Sequence, residues 1–183
     1  MRDDHDVPLD REEEEARQIE GAAGADRDPA ADLLFSTKLR ALNPRAPLAV
    51  APGESVADAC AAMRANKVGC VLVVDGDDLL GIFTERDVLH KVTGSDLDPA
   101  SVKIEELMTP NPTTLRPAHS LAQALNKMTL DGCRHIPLVN REGKPVGVVS
   151  VRRIVDFLVD TFADALQTLP HDPDQEMSRP EGG

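Results

Sequence analysis

Two hydrophobic periods alternate along the middle of this chain. After a short extended piece, "LAVAP" at 48–52, the apolar residues Val56, Ala59, Cys60 and Met63 recur three and four apart, the spacing of one helix face. The period then changes. "VLVV" at 71–74 and "LLGIF" at 79–83 are continuous apolar runs around the turn "DGDD", and they read as two strands buried on both faces. The same order returns downstream. "TTLRP" at 113–117 leads to Leu121, Ala124, Leu125 and Met128 at helical spacing, and then to "IPLV" and "VGVV" around the turn "NREGKP". Ser55 and Ser120 precede these helices with Asp58 and Gln123 three residues on, the pattern of a capping box. Gly69 and Gly132 follow where each helix is expected to stop. A closing helix is expected from Thr84 in one half and from Ser150 in the other, so each half reads as β-α-β-β-α.

The two halves are copies. An offset of 65 pairs Lys38 with Lys103, Leu42 with Leu107, Pro52 with Pro117, Ser55 with Ser120, Ala59 with Ala124, Met63 with Met128 and Val74 with Val139. One inserted residue then makes the offset 66, pairing Gly81 with Gly147 and Thr84 with Ser150. So many matches with a single gap read as a duplication. One unit is too small to bury its own core well, so the two are expected to pack together in an α/β (α+β) fold. The flanks offer little to bury. We therefore expect a disordered acidic tail over 1–34, the first repeat over 35–98, the second repeat with a C-terminal helix over 99–169, and a disordered tail over 170–183.

Composition removes several function classes. A net charge of −12, no Trp, no Tyr and only four Phe leave neither the basic surface nor the stacking platforms of nucleic-acid binders, although a local basic pocket for a small anion stays compatible. Three cysteines without CxxC or Cys/His spacing read as core residues of a reducing compartment. The N-terminus has no signal-peptide core, and no apolar run approaches the ~18 residues of a membrane helix. A soluble, cytoplasmic protein is expected. With no Gly-rich phosphate loop, zinc pattern or nucleophile elbow, no enzyme, metal site or required cofactor is expected.

"LMTPNPTTLRPAHSLAQAL", "GCRHIPLVNREGKPVGVVS" and the twin Gly-x-x-[Thr/Ser] turns, in this order and duplicated, resemble a tandem pair of CBS domains, a Bateman module, over about residues 38–160. The first copy is plainer, since "VLVV" lacks the proline of "IPLV". The resemblance implies a stand-alone, non-catalytic regulatory module whose repeats form a pseudo-twofold pair with two clefts. It implies an adenosyl ligand (AMP, ADP, ATP or S-adenosylmethionine) and a disc-like homodimer. By the same resemblance Thr84 and Asp87 hold a ribose, and Ile82 walls the adenine. Thr113, Thr114 and Leu115 reach that cleft from the other repeat, while Lys67, Arg134 and His135 contact phosphate.

The residues themselves leave alternatives open. Thr84-x-x-Asp87 is also a capping box, and the two uses are compatible. A carboxylate in the first helical turn is kept ionised by the helix dipole and could accept hydrogen bonds from both ribose hydroxyls. Lys67 also reads as a solvated lysine at a helix end, and His135 as a half-buried, hydrogen-bonded histidine; His90 and His119 read as surface residues. In the second turn Ser150 still caps its helix, but Arg153 stands where Asp87 stood and has no lone pair to offer. The second cleft is then either vacant, with Arg153 solvated or salt-bridged, or binds an anion, so one ligand per pair is expected. At 152–169 Ile154, Val155, Leu158, Phe162, Ala165, Leu166 and Leu169 form one stripe, for the module's own face or for a homodimer contact. Two functions follow. One is a sensor that reports occupancy to a protein in trans or through its acidic arm; the other is a ligand-free structural or protein-interaction module with degenerate clefts.

Overall fold

The computed structural model describes residues 29–167, with side chains over 31–163. The chain runs through α1 (Pro29–Ser36), a 3₁₀ turn (Leu39–Leu42), β1 (Ala49–Val50), α2 (Val56–Asn66), β2 (Cys70–Asp75), β3 (Asp78–Thr84) and α3 (Glu85–Asp87), which continues into one π turn (Val88–Val92). It then forms α4 (Ile104–Leu107), β4 (Thr109–Pro110), α5 (Leu121–Asp131), β5 (His135–Val139), β6 (Pro145–Ser150) and α6 (Val151–Gln167). The serines start the central helices by satisfying free N–H groups: Ser55 Oγ accepts from Asp58 N–H at 3.1 Å and Ser120 Oγ from Gln123 N–H at 3.3 Å. Helix α5 ends on Gly132 with φ 62°, but α2 ends on Lys67 with φ 53°. The expected stop at Gly69 is thus corrected. Lys67 lies 65 residues before Gly132, so the left-handed cap keeps its place while its residue changes, and Gly69 serves a different contact.

Strands β1 and β2 pair in parallel, β2 and β3 pair antiparallel, and β4 adds antiparallel to β3 with Ile82 opposite Thr109. Strand β4 comes from the second half of the chain. In the other sheet β5 pairs antiparallel with β6, and Leu115 bridges Leu138 in parallel, as β1 does β2. Both hairpins carry an irregularity at the same place, between Val73 and Val74 and between Leu138 and Val139.

The segment before each repeat's central helix is exchanged. Leu39 N–H donates to His119 O at 2.8 Å, and its copy Ile104 N–H donates to Glu54 O at 2.8 Å. Leu121 N–H donates to Thr37 O at 3.0 Å, and its copy Val56 N–H to Val102 O at 3.0 Å. Each bond has a twin 65 residues away with donor and acceptor repeats swapped, which defines a pseudo-twofold pair. Packing follows the same exchange. Leu39 and Leu42 sit in a core with Leu121, Met128, Ile136, Leu138 and Ile154, whereas Ile104 completes the core of Val56, Met63, Val71, Val73 and Phe83. Full burial of Leu39 or Ile104 is worth about 1.5–3 kcal/mol to the repeat that receives it. Cys70, Leu72 and Ile82 meet Val148 between the sheets, so β2 is buried on both faces.

Two further expectations change. Residues 29–34, assigned to a disordered tail, belong to α1, whose Leu34 packs on the second core because "LLF" supplies the apolar surface the rest of that segment lacks. The remaining tail residues, 1–28 and 170–183, lie outside the described residues. The single stripe of the last helix is divided. Ile154 and Leu158 pack inward, while Val155, Val159 and Phe162 stay exposed; Ala165, Leu166 and Leu169 fall outside the described side chains.

Candidate functional site

At the end of β3 the backbone turns into α3, and Thr84 and Asp87 cap each other there. Thr84 Oγ1 accepts from Asp87 N–H at 3.3 Å, while Asp87 Oδ2 accepts from Thr84 N–H at 2.9 Å and from Thr84 Oγ1–H at 2.7 Å. Its other oxygen, Oδ1, pairs with Lys91 Nζ at 2.7 Å. Asp87 is 9% exposed. Burial alone would raise its pKa, but the hydrogen bonds from Lys91 and Thr84 hold the carboxyl below the usual carboxylate range.

This turn forms one wall of a cleft of about 340 Å³. Gly69 and Ile82 also line it from the first repeat, and Glu85 and Arg86 from α3. The second repeat contributes Thr109 from β4, Asn111, Pro112 and Thr113 from the chain beyond it, and Asp131 to His135 from the bend between α5 and β5. β4 reaches β3 because Gly81 has no side chain: a Cβ there would stand 2.4 Å from Met108 Sδ and 2.9 Å from Thr109 O. Gly69 plays the comparable part for His135, whose ring atoms would be 3.1 Å from an added Cβ. Burial lowers the His135 pKa, with Glu85 opposing and Arg134 assisting, so the ring is neutral near pH 7. Cys70 is pushed up to about 12 by burial and by Glu85, and is an inert thiol. Between the repeats Arg86 Nη1–H donates to Gly132 O at 2.7 Å, and within the second repeat Thr113 Oγ1–H donates to Asp131 Oδ2 at 2.6 Å.

Of the sequence candidates, the cleft gathers Ile82, Thr84, Asp87, Thr113, Arg134 and His135. Thr114 and Leu115 are not among its lining residues. Leu115 is in the second core, because its N–H donates to Pro137 O at 3.1 Å and turns the side chain inward. Lys67 is exposed at the α2 end, and its copy Gly132 is the residue that lines the cleft. Ser150 and Arg153 belong to the twin turn. There Ser150 Oγ accepts from Arg153 N–H at 3.2 Å, and the guanidinium donates from Nε and Nη2 to Leu42 O at 3.1 and 3.0 Å. Among the described residues Arg153 has no ion pair, and it is not simply solvated; a backbone carbonyl of the first repeat's exchanged segment takes it. Pro44 packs over Gly147 there, its Cβ 3.0 Å from where a glycine Cβ would be.

Sequence reasoning missed Lys91, Glu85, Arg86 and Asp131. Arg86 and Glu85 were detectable, since they sit inside the same turn motif. Lys91 carries a weaker signal: its i,i+4 spacing to Asp87 marks an ion pair only if a helix follows. Among the described residues no cluster of His, Cys, Asp or Glu could hold a metal ion, and no helix is long and apolar enough to cross a membrane.

Comparisons with known proteins agree with this architecture. The chain is 30% identical over 112 residues to a 17.7 kDa protein of Acidianus ambivalens, a match spanning 61% of this chain and 66% of that one. It is 31% identical over 105 residues to the CBS domain-containing protein CBSCBSPB3 of Arabidopsis thaliana, covering 57% of this chain but 19% of that protein. The chain thus spans less than two thirds of these relatives. Among solved structures, a CBS-domain containing protein of Agrobacterium tumefaciens superposes with TM-score 0.61 at 29% identity, over 67% of this chain and 99% of its own. Two further folds match with TM-score 0.60 at 22% identity. One is a CBS domain protein of Pyrobaculum aerophilum complexed with AMP, covering 68% of this chain and 98% of its own. The other is a CBS domain pair in complex with 5′-methylthioadenosine and S-adenosyl-L-methionine, covering 67% and 99%. The CBS domain model itself matches twice, at residues 40–94 and 104–160. With its duplicated sequence, exchanged segments and twin turns, the chain belongs to the CBS domain family as a tandem pair.

Proposed function

We propose that this chain is a non-catalytic sensor that binds one adenosyl ligand, AMP, ADP, ATP or S-adenosylmethionine, in the cleft bounded by Thr84 and Asp87. The observation that carries the reading is the composition of that cleft. A carboxylate and a hydroxyl stand beside an apolar wall, Ile82, with the exposed cation Arg134 and the neutral His135 opposite. At about 340 Å³ it falls within the ~300–1,000 Å³ of small-molecule sites. Asp87 and Thr84 would take the ribose hydroxyls, Ile82 the adenine, and Arg134 a phosphate or carboxylate. The AMP and S-adenosylmethionine complexes of the two fold neighbours support the ligand class.

Because the lining comes from both repeats, occupancy would act on how they pack and so reach a regulated protein in trans. Three free thiols suit a cytoplasmic setting. Leu89, 63% exposed, and its copy Val155, 48% exposed, stand at one register position of the two closing helices. Together with Val159 and Phe162 they support a homodimer built on these helices.

Calorimetric titration with each adenosyl compound tests the reading. One equivalent bound per chain, abolished by Asp87→Ala, is the expected result. No heat and no thermal shift at millimolar ligand would favour the protein-interaction module, a reading supported by the hold that Thr84 and Lys91 already have on both oxygens of Asp87.

A further inference from the structure

The twin turns solve one problem in two ways. Lys91 Nζ, besides pairing with Asp87 Oδ1, donates to Leu107 O at 2.7 Å. Leu107 is the copy of Leu42, whose carbonyl Arg153 holds. In both halves, then, a cation from the closing helix ties down the last carbonyl of the other repeat's exchanged turn. The substitutions are coupled. Asp87 and Lys91 in the first half correspond to Arg153 and Phe157 in the second, where one guanidinium does the work of the pair and Phe157 packs against the core.

The two ties differ in what can reach them. Arg153 acts directly on its carbonyl, whereas Lys91 is held through Asp87, and Asp87 lines the cleft. A carboxylate has about four lone-pair directions. Thr84 N–H and Thr84 Oγ1–H use two on Oδ2, and Lys91 uses one on Oδ1, which leaves a single direction beside Lys91. A vicinal diol brings two donors.

We propose that Lys91 is a positioning residue that a bound ribose displaces from Asp87, so that ligand loosens the tie between the first repeat's closing helix and Leu107. The inference rests on the proposed binding of a ribosyl ligand. Its consequence falls on the cleft itself, because β4 and the cleft residues Thr109, Asn111, Pro112 and Thr113 begin two residues after Leu107. Ligand would therefore release the wall that the second repeat contributes, while the Arg153 tie stays shut.

Two measurements on the full chain test this. By calorimetry, Lys91→Met should bind AMP about threefold to tenfold tighter than wild type, since the competitor is gone. Lys91→Arg should restore wild-type affinity, and 2′,3′-dideoxyadenosine should not distinguish the variants. Equal or weaker binding of AMP by Lys91→Met overturns the proposal. The second measurement, amide hydrogen exchange, needs no ligand. Both Asp87→Asn and Lys91→Met should speed exchange of the Asn111 N–H, which donates to Leu80 O at 3.0 Å, by about threefold or more, with Leu72 N–H unchanged. Unchanged exchange at Asn111 overturns the tie whatever the ligand does. Faster exchange in the two variants, together with a wild type that binds no adenosyl compound, removes the sensor reading and the displacement together, and leaves the tie standing as a structural contact.

Discussion

Asp87 and Arg153 stand at the same place in two copies of one turn, and they show how a duplicated site diverges. In the first copy the charge is a carboxylate, reaches a cleft, and needs Lys91 as an intermediary to hold the neighbouring repeat. In the second the charge is reversed, the intermediary has become Phe157, and the guanidinium reaches Leu42 O by itself. The structural duty is common to both. What separates them is an acceptor at the cleft, retained once and given up once. A charge reversal that sequence alone reads as the loss of an acceptor, with the cleft left vacant or turned to an anion, is in three dimensions the same fastening made simpler.

The comparison can be broken most forcefully at the exchanged segments. Leu39→Ala and Ile104→Ala should each cost about 3 kcal/mol, measured by urea denaturation. In hydrogen exchange the weakened repeat should be the other one, with α5 loosened by Leu39→Ala and α2 by Ile104→Ala. Damage confined to the mutated residue's own repeat would mean that the exchange does not carry the packing. Next in size are the twin glycines. Gly81→Ala meets Met108 Sδ and Thr109 O at under 3 Å and is expected to lose about 2 kcal/mol with its ligand site. Gly147→Ala meets Pro44 at 3.0 Å and should lose about 1 kcal/mol with ligand binding intact.

Transplanting the first tie sharpens the contrast further. Arg153→Asp alone should lose about 1 kcal/mol, and Phe157→Lys, which gives up the packing of Phe157 on the core, should cost less when added to Arg153→Asp than when made alone. The double variant should also raise the calorimetric stoichiometry from one ligand per chain toward two. The smallest effect is that of pH. The folded pKa of His135 is depressed, so the unfolded chain takes up its proton first, near the ordinary value of about 6.5. Its contribution is full above that pH and declines as pH falls. His135→Gln should therefore flatten the drop in urea midpoint between about pH 7 and about pH 5. Asp87, also depressed, contributes fully above about pH 4 and loses its share only below it, outside that window.

What was legible in the sequence was local or repeated. The periods around Val56 to Met63 and Leu121 to Met128, the serine caps and the offset of 65 need only neighbouring residues, and the helices and strands follow from them. The exchange was not legible. An internal repeat says that Leu39 matches Ile104, but not which core either enters, because both choices satisfy the same pattern. Leu115 failed for a related reason: a two-faced strand leaves its inward face open until its partner is known, and Pro137 O settles it. Arg153 was visible as a reversed charge, but its acceptor is a main-chain oxygen, which no side chain announces. Lys91 needed the π turn that brings it back over Asp87 while reaching toward Leu107.

The reciprocal seating of Leu39 and Ile104 bears on how such a chain arises. A solitary ancestral unit with this geometry would hold its own first turn outside its core and leave that core open. It would be expected to close only by clasping a second identical molecule. Joining two genes end to end would then have turned a meeting between molecules into a fold within one, and freed each half to change its charges independently.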